Sequence, residues 1–330
     1  MNDVGHRPSV RAGGVVAALA LALAACGEDA TQPTGPAEPQ AVTALATASN
    51  IWITRRAPPL PAVRPAIAMV PNAAGQSLVY VMSGNQDSRV QVYNVASNTW
   101  TLRAYLPVRM NSSNGAGVIG GKIYVSGGRI SSVRTHAQLN VYDPATNKWT
   151  RKHDMPAPTW GGVTGVINDR LYVLAGCNDG PCYFFRYDPA TDHWTTLPNS
   201  FQQHELGVGG VIGGKFYVVG GRPFVDPRIL EVYDPATNAW TKKAPLAMGL
   251  EGAAGAVLQN RLFVVGGRET ESPDTVVATT HVYDPATNRW ITKAPLPAPA
   301  SAISATKVLV NGQPRLEVVG GSASHWEYIP

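Results

Sequence analysis

Short apolar runs alternate with polar, turn-forming clusters along most of the chain, and outside the N-terminal segment no long stretch carries the apolar spacing of a helix. The clearest cluster, Tyr142-Asp143-Pro144-Ala145-Thr146-Asn147-Lys148-Trp149-Thr150, returns nearly unchanged from Tyr187 to Trp194, Tyr233 to Trp240 and Tyr283 to Trp290. A weaker copy runs from Tyr93 to Trp100. Tyr closes one strand, Asp-Pro-Ala-Thr-Asn supplies turn chemistry, and Trp opens the next strand. Asp-Pro also stops a helix from running through the segment.

Upstream in each unit a strand ends in paired glycines, at Gly127-Gly128, Gly220-Gly221, Gly266-Gly267 and Gly320-Gly321, with Ser83-Gly84 and Ala175-Gly176 as degenerate copies. Ahead of these lie two-residue hairpin turns at Gly120-Gly121, Asn168-Asp169, Gly213-Gly214 and Gln259-Asn260, residues that tolerate positive φ. The unit is therefore four strands, with a period in the forties of residues, which is the signature of a radial β architecture.

The diglycine, Tyr and Trp arrangement resembles the kelch repeat, whose units form the blades of a β-propeller, and the resemblance covers roughly residues 50 to 330. It implies an all-β fold, a six-bladed propeller. The segment Asn50-Ile51-Trp52-Ile53-Thr54 reads as a fourth strand with no first three, and Trp326-Glu327-Tyr328-Ile329-Pro330 as a third strand with no fourth. The N-terminal strand is thus expected to close the last blade and remove the sheet edges of an open array.

The domain plan is a signal peptide of the lipoprotein type over 1–25, a flexible tether over 26–48 and the propeller over 49–330. Arg7 and Arg11 precede an apolar run from Ala12 to Ala25, too short for a stable span and suited to a signal peptide. Leu23-Ala24-Ala25-Cys26 resembles a bacterial lipobox, which implies lipidation of Cys26; an ordinary secretory signal is the alternative. Gly27 stands where the inner-membrane retention signal would place Asp, so the expected location is the outer membrane or cell surface. The tether is rich in Pro, Ala and Thr and holds no aromatic residue.

Charge narrows the partners. The formal net charge is +5, and Lys and Arg are spread around the repeats without the stripe that would neutralise successive phosphates, so no nucleic-acid partner is expected. In an exported protein, Cys177 and Cys182 across one short loop read as a disulfide, and two soft ligands without a nearby His make a poor metal site. No metal or cofactor is expected, and the propeller is expected to be a monomer.

In an antiparallel meander, the loops between second and third strands share a face with the links between blades, and here these segments vary in length and composition. Arg129, Arg222 and Arg268 follow diglycines on that face, while Glu205 and Glu251 precede first strands at matching positions, with His204 beside the former and Trp160 and Ser112 at equivalent places. They are expected to converge on the mouth of the axial channel, where fork-shaped Arg donors suit carboxylate or hydroxyl groups. The alternative is that these arginines cap neighbouring blades and pair with the glutamates.

Two functions compete. One is a binding module for a protein or a glycan. The other follows from the resemblance, since exported kelch propellers include sialic acid mutarotases; on that reading Glu205 or Glu251 is the base and an Arg such as Arg222 stabilises charge. The Cys-crosslinked Tyr and paired His of kelch copper oxidases find no counterpart, and no hydrolase elbow is present.

Overall fold

The computed structural model describes residues 49–330 except 83, 85–87, 132–133, 177–181, 223–224, 273 and 322. Within them the chain forms six four-stranded antiparallel sheets and one two-stranded ribbon that joins Leu250–Glu251 to Arg268–Glu269. Blades 1 to 5 begin at the strands Ala66–Pro71, Ala116–Ile119, Val163–Ile167, Val208–Ile212 and Ala254–Leu258, and each runs as a meander in chain order. Blade 6 consists of Ile303–Val310, Gln313–Gly320, Ser324–Ile329 and the N-terminal strand Ile51–Thr54, here called β1. The expected closure is therefore present, with Trp52 opposite Tyr328 and Thr54 opposite Trp326 in the register.

The turns follow the residue chemistry. Gly120-Gly121, Asn168-Asp169, Gly213-Gly214 and Gln259-Asn260 all hold positive φ, between 49° and 73°. In the third-to-fourth turns Asp143, Asp188, Asp234 and Asp284 each accept a backbone N–H two residues on. The residue that ends each such turn is left-handed and accepts the phenol of the Tyr before it: Tyr142 to Asn147 at 2.7 Å, Tyr187 to Asp192 at 2.6 Å, Tyr233 to Asn238 at 2.6 Å and Tyr283 to Asn288 at 2.7 Å.

That same side-chain oxygen also reaches the preceding blade. Asn147 accepts from the Ala104 N–H, Asp192 from His153 and Asn288 from Ala244. The neighbouring Trp donates its indole N–H to a carbonyl of that blade, as Trp100 does to Arg56, Trp194 to His153, Trp240 to Pro198 and Trp290 to Ala244. The repeated Tyr-to-Trp cluster is thus a stitch between blades as well as a turn. Apolar side chains fill the space between sheets, as where Tyr217, Val219 and Val232 of blade 4 meet Leu262, Val264 and Tyr283 of blade 5.

The first strands neighbour one another around the whole ring and line its axis. Small residues on them or just before them, Gly115, Ala116, Gly162, Gly209, Gly255 and Ala305 among others, leave an axial cavity of about 140 Å³.

Candidate functional site

At Gly127-Gly128, Gly220-Gly221 and Gly266-Gly267 the corner is crossed both by the link that enters its own blade and by the link that enters the next. At Gly220 and Gly221, φ is +74° and +94°, and an added Cβ would lie 2.5 Å from the Leu250 carbonyl oxygen or 2.6 Å from that of Glu205. Only glycine fits both the dihedral and the approach. The paired glycines therefore exist so that successive links can be drawn in around the channel mouth.

The links then join one another in a belt. Gly161 N–H donates to the Ser113 carbonyl, Leu206 to Gly161, Gly252 to Leu206, Ala302 to Gly252 and Arg64 to Ala302. Five of these belt residues, Arg64, Gly161, Leu206, Gly252 and Ala302, have φ between 50° and 65°. Left-handed backbone at Arg64, Leu206 and Ala302 carries a steric cost that glycine would avoid, and the belt of hydrogen bonds holds it in place.

On this belt the sequence-predicted residues come together in part. Ser112, Glu205 and Glu251 pair through their backbones with Arg129, Arg222 and Arg268 respectively, so each diglycine arginine is bound to the link that enters its own blade. Arg222 Nε donates to Glu251 Oε2 at 2.6 Å, and its Nη1 lies 3.9 Å from Glu205 Oε1, so one guanidinium spans carboxyls from two links. The bond to Glu251 raises the Arg222 pKa further. Arg129 instead stacks over the Trp160 ring at 4.5 Å, a cation-π contact. His204 is buried and turns away from the mouth, its Nδ1 2.9 Å from the Gly220 carbonyl and its Nε2 3.4 Å from Glu231.

Sequence reasoning missed Arg64. It belongs to the link into blade 1, which lacks the diglycine-Arg pattern that marked the others, and its side chain reaches over Gly252 of the link into blade 5, within 3.3 to 3.5 Å of where a Cβ there would sit. Its Nε is buried without a hydrogen-bond partner in the protein. Burial lowers its pKa, Glu251 opposes that, and Arg222 and Arg268 add to it. An arginine stays charged even so, so the mouth presents a cation with an unused donor. Arg64 also lines a cavity of about 80 Å³ with Ser112, Ser113, Gly161, Gly252 and Ser304, which shares Pro65, Gly115 and Gly207 with the larger one. A left-handed residue on a link, found by aligning the links rather than the blades, is the signal that could have revealed it.

Cys26, the tether and Cys177 lie outside the described residues, and the Cys177–Cys182 pairing falls outside with Cys177. Cys182 stands just before the strand Phe184–Asp188.

The comparisons agree with the architecture. The sequence model of the family described as the KLHDC2/KLHL20/DRC7 Kelch-repeats domain matches residues 118–321. Kelch-like protein terF of Aspergillus terreus is 39% identical over 93 residues, which are 26% of this chain and 20% of that protein. A kelch domain-containing protein of Sulfurisphaera tokodaii is 30% identical over 109 residues, 32% of this chain and 14% of its own length. The chain thus spans a fifth or less of these relatives. The solved structure of YjhT superposes with a TM-score of 0.67 at 17% identity, covering 82% of this chain and 95% of that one, a likeness of fold. With the matched region exceeding half of its length, the chain belongs to the kelch-repeat family.

Proposed function

We propose that this propeller is a noncatalytic binding module that holds a protein or glycan ligand over its channel mouth, on the face of the links and second-to-third loops. The observation that carries the reading is the Arg64 side chain, partly buried in the mouth beside Arg222 and Arg268, with its buried Nε unpartnered. A buried donor left open is costly, and a ligand carboxylate or hydroxyl would satisfy it. Arg129 on Trp160 adds a flat aromatic surface at the same rim, suited to a sugar ring or an aromatic side chain.

The second reading, a sugar-modifying enzyme resembling sialic acid mutarotases, is favoured by the two carboxyls of Glu205 and Glu251 on one guanidinium. Against it, Glu251 Oε2 is already engaged by Arg222 at 2.6 Å, which commits one of the two carboxylate oxygens to a salt bridge within the protein. Export and a lipid anchor at Cys26 fit a module displayed at the outer membrane or cell surface; the apolar run and Leu23-Ala24-Ala25-Cys26 support that placement. A glycan array and a panel of carboxylated peptides, run on the purified protein beside an NMR assay of sugar anomer exchange, separate the readings. Binding without accelerated exchange supports the module. Accelerated exchange that is lost in Glu251→Gln supports the enzyme, and no binding by any ligand class overturns the site.

A further inference from the structure

Five of the joints between blades are built alike and the sixth is not. The register pairs Tyr80 with Val92, Tyr124 with Val141, Tyr172 with Arg186, Tyr217 with Val232 and Phe263 with Val282. Each of these aromatics packs against the stitching Tyr of the next blade, ring centroids 5.6 to 6.2 Å apart. In blade 6 the same register sets Glu317 against Glu327, and both are buried. His325 takes the position held by Val90, Leu139, Phe184 and Leu230 in other blades, its ring 4.4 Å from Tyr93 and 5.4 Å from Trp100 of blade 1.

Buried carboxyls need partners. Arg55, the residue after β1, donates Nε and Nη2 to Glu327 Oε2 at 2.8 and 2.6 Å, and Arg315 donates Nη1 to Glu327 Oε1. The closing strand is therefore tied by charge to the third strand it pairs with. His325 Nδ1 lies 2.8 Å from the Arg56 carbonyl, which only accepts, so Nδ1 carries a hydrogen. Its Nε2 lies 2.7 Å from Glu317 Oε2, and a contact that short between ring nitrogen and carboxyl oxygen requires one proton between them. The closed joint thus holds Arg55 and Arg315 as cations, Glu327 as an anion, and a Glu317–His325 pair sharing one proton, faced from blade 1 by the Tyr93 and Trp100 rings.

We propose that this joint is a proton-held latch: the ring opens between blades 6 and 1, releasing β1, when the proton shared by Glu317 and His325 is lost. Burial first, and then Glu327, push the Glu317 carboxyl well above its usual range, while burial lowers His325 to about 4. Burial also resists ionisation of Glu327, but Arg315 and Arg55 outweigh it and hold that carboxyl low. The shared proton accordingly rests on Glu317 and is donated to Nε2.

Proton counting gives the sign. In the open joint Glu317 and His325 return to ordinary values of 4.5 and 6.5. Between those values the open pair also holds one proton, on the imidazole, so opening is independent of pH. Above 6.5 the open pair holds none while the closed pair keeps one, so opening becomes about tenfold easier per pH unit until Glu317 ionises in place. Below 4.5 the open carboxyls take up protons that the closed joint excludes, and the latch loosens again.

Native-state hydrogen exchange of the whole protein, followed by mass spectrometry and corrected for the intrinsic pH dependence of exchange, reads this directly. Protection of 51–56 and 324–329 should fall by about tenfold per unit above pH ~6.5, while the third strands of blades 2 to 5 stay flat. Glu317→Gln keeps a donor toward His325 Nε2 but has no proton to lose. It should be flat above that pH and lose protection between pH ~6.5 and ~4.5, where only the open imidazole takes up a proton. A flat wild-type profile above pH ~6.5, an equal fall at every joint, or an unchanged alkaline fall in Glu317→Gln would each overturn the latch.

Discussion

The phenol of Tyr328 donates to Asn50 Oδ1 at 2.9 Å, joining residues 278 positions apart in the same stitch that joins Tyr142 to Asn147 within one turn. Asn50 also accepts the Ala294 N–H of blade 5, and Trp52 donates its indole N–H to the Ala294 carbonyl. The ring is thus closed with the same bonds that hold its other joints, supplied by a strand from the far end of the chain.

Removing that strand should therefore be severe. Trp52→Ala loses a half-buried ring set 5.0 Å from Tyr328 together with its hydrogen bond, a cost of about 3 kcal/mol. Asn50→Ala should cost about 1 kcal/mol, and Asn50→Asp less, because Asp192 already fills this role for Tyr187. Deleting 50–54 should be worse than either. Thermal melts decide it, and an unchanged melting temperature in the deletion would mean that another segment closes the ring.

Arg64→Gly should separate binding from stability. Glycine suits φ +50° and removes a partly buried charge, so the melting temperature should hold or rise, while affinity for an anionic ligand falls by about 1.5–3 kcal/mol. Arg222→Ala, Arg129→Ala and Arg268→Ala should also weaken binding. Lys122 and Lys215 pair with Asp143 and Asp234 on the opposite face, so their alanine variants should bind normally. Arginine variants that bind normally but melt early would make these residues scaffold.

The Cys177–Cys182 bridge is expected to add about 2 kcal/mol, since the loop it closes is short. Intact mass of protein purified from the oxidising compartment, with and without reduction, should differ by the two hydrogens of one disulfide. Two free thiols before reduction would refute it.

Cys26→Ala should abolish lipid attachment and shift the protein out of the membrane fraction, because stable anchoring takes more than one acyl chain and the chain has no other candidate thiol near its N-terminus. An unmodified residue at the mature N-terminus of the wild type would end this reading.

The blade was legible in the chain. Local rules suffice there: Asp143-Pro144 and Asn147 dictate a turn wherever they occur, Gly120-Gly121 and Asn168-Asp169 dictate a hairpin, and complementary half-blades at the two ends of the chain dictate closure. It also placed Arg222 beside Glu205 and Glu251, because the register of a meander carries from one blade to the next. The mouth itself was decided by tertiary structure. Arg64 meets Gly252 across nearly two hundred residues, and its left-handed backbone is stabilised by a belt whose members belong to different blades. The polar seam was likewise hidden, since Glu317, His325 and Glu327 become partners only when the blade is folded, Arg55 arrives from the other end of the chain to pair with Glu327, and the Tyr93 and Trp100 rings of blade 1 cover His325. Non-local charge pairing and desolvation exist only once the ring is closed.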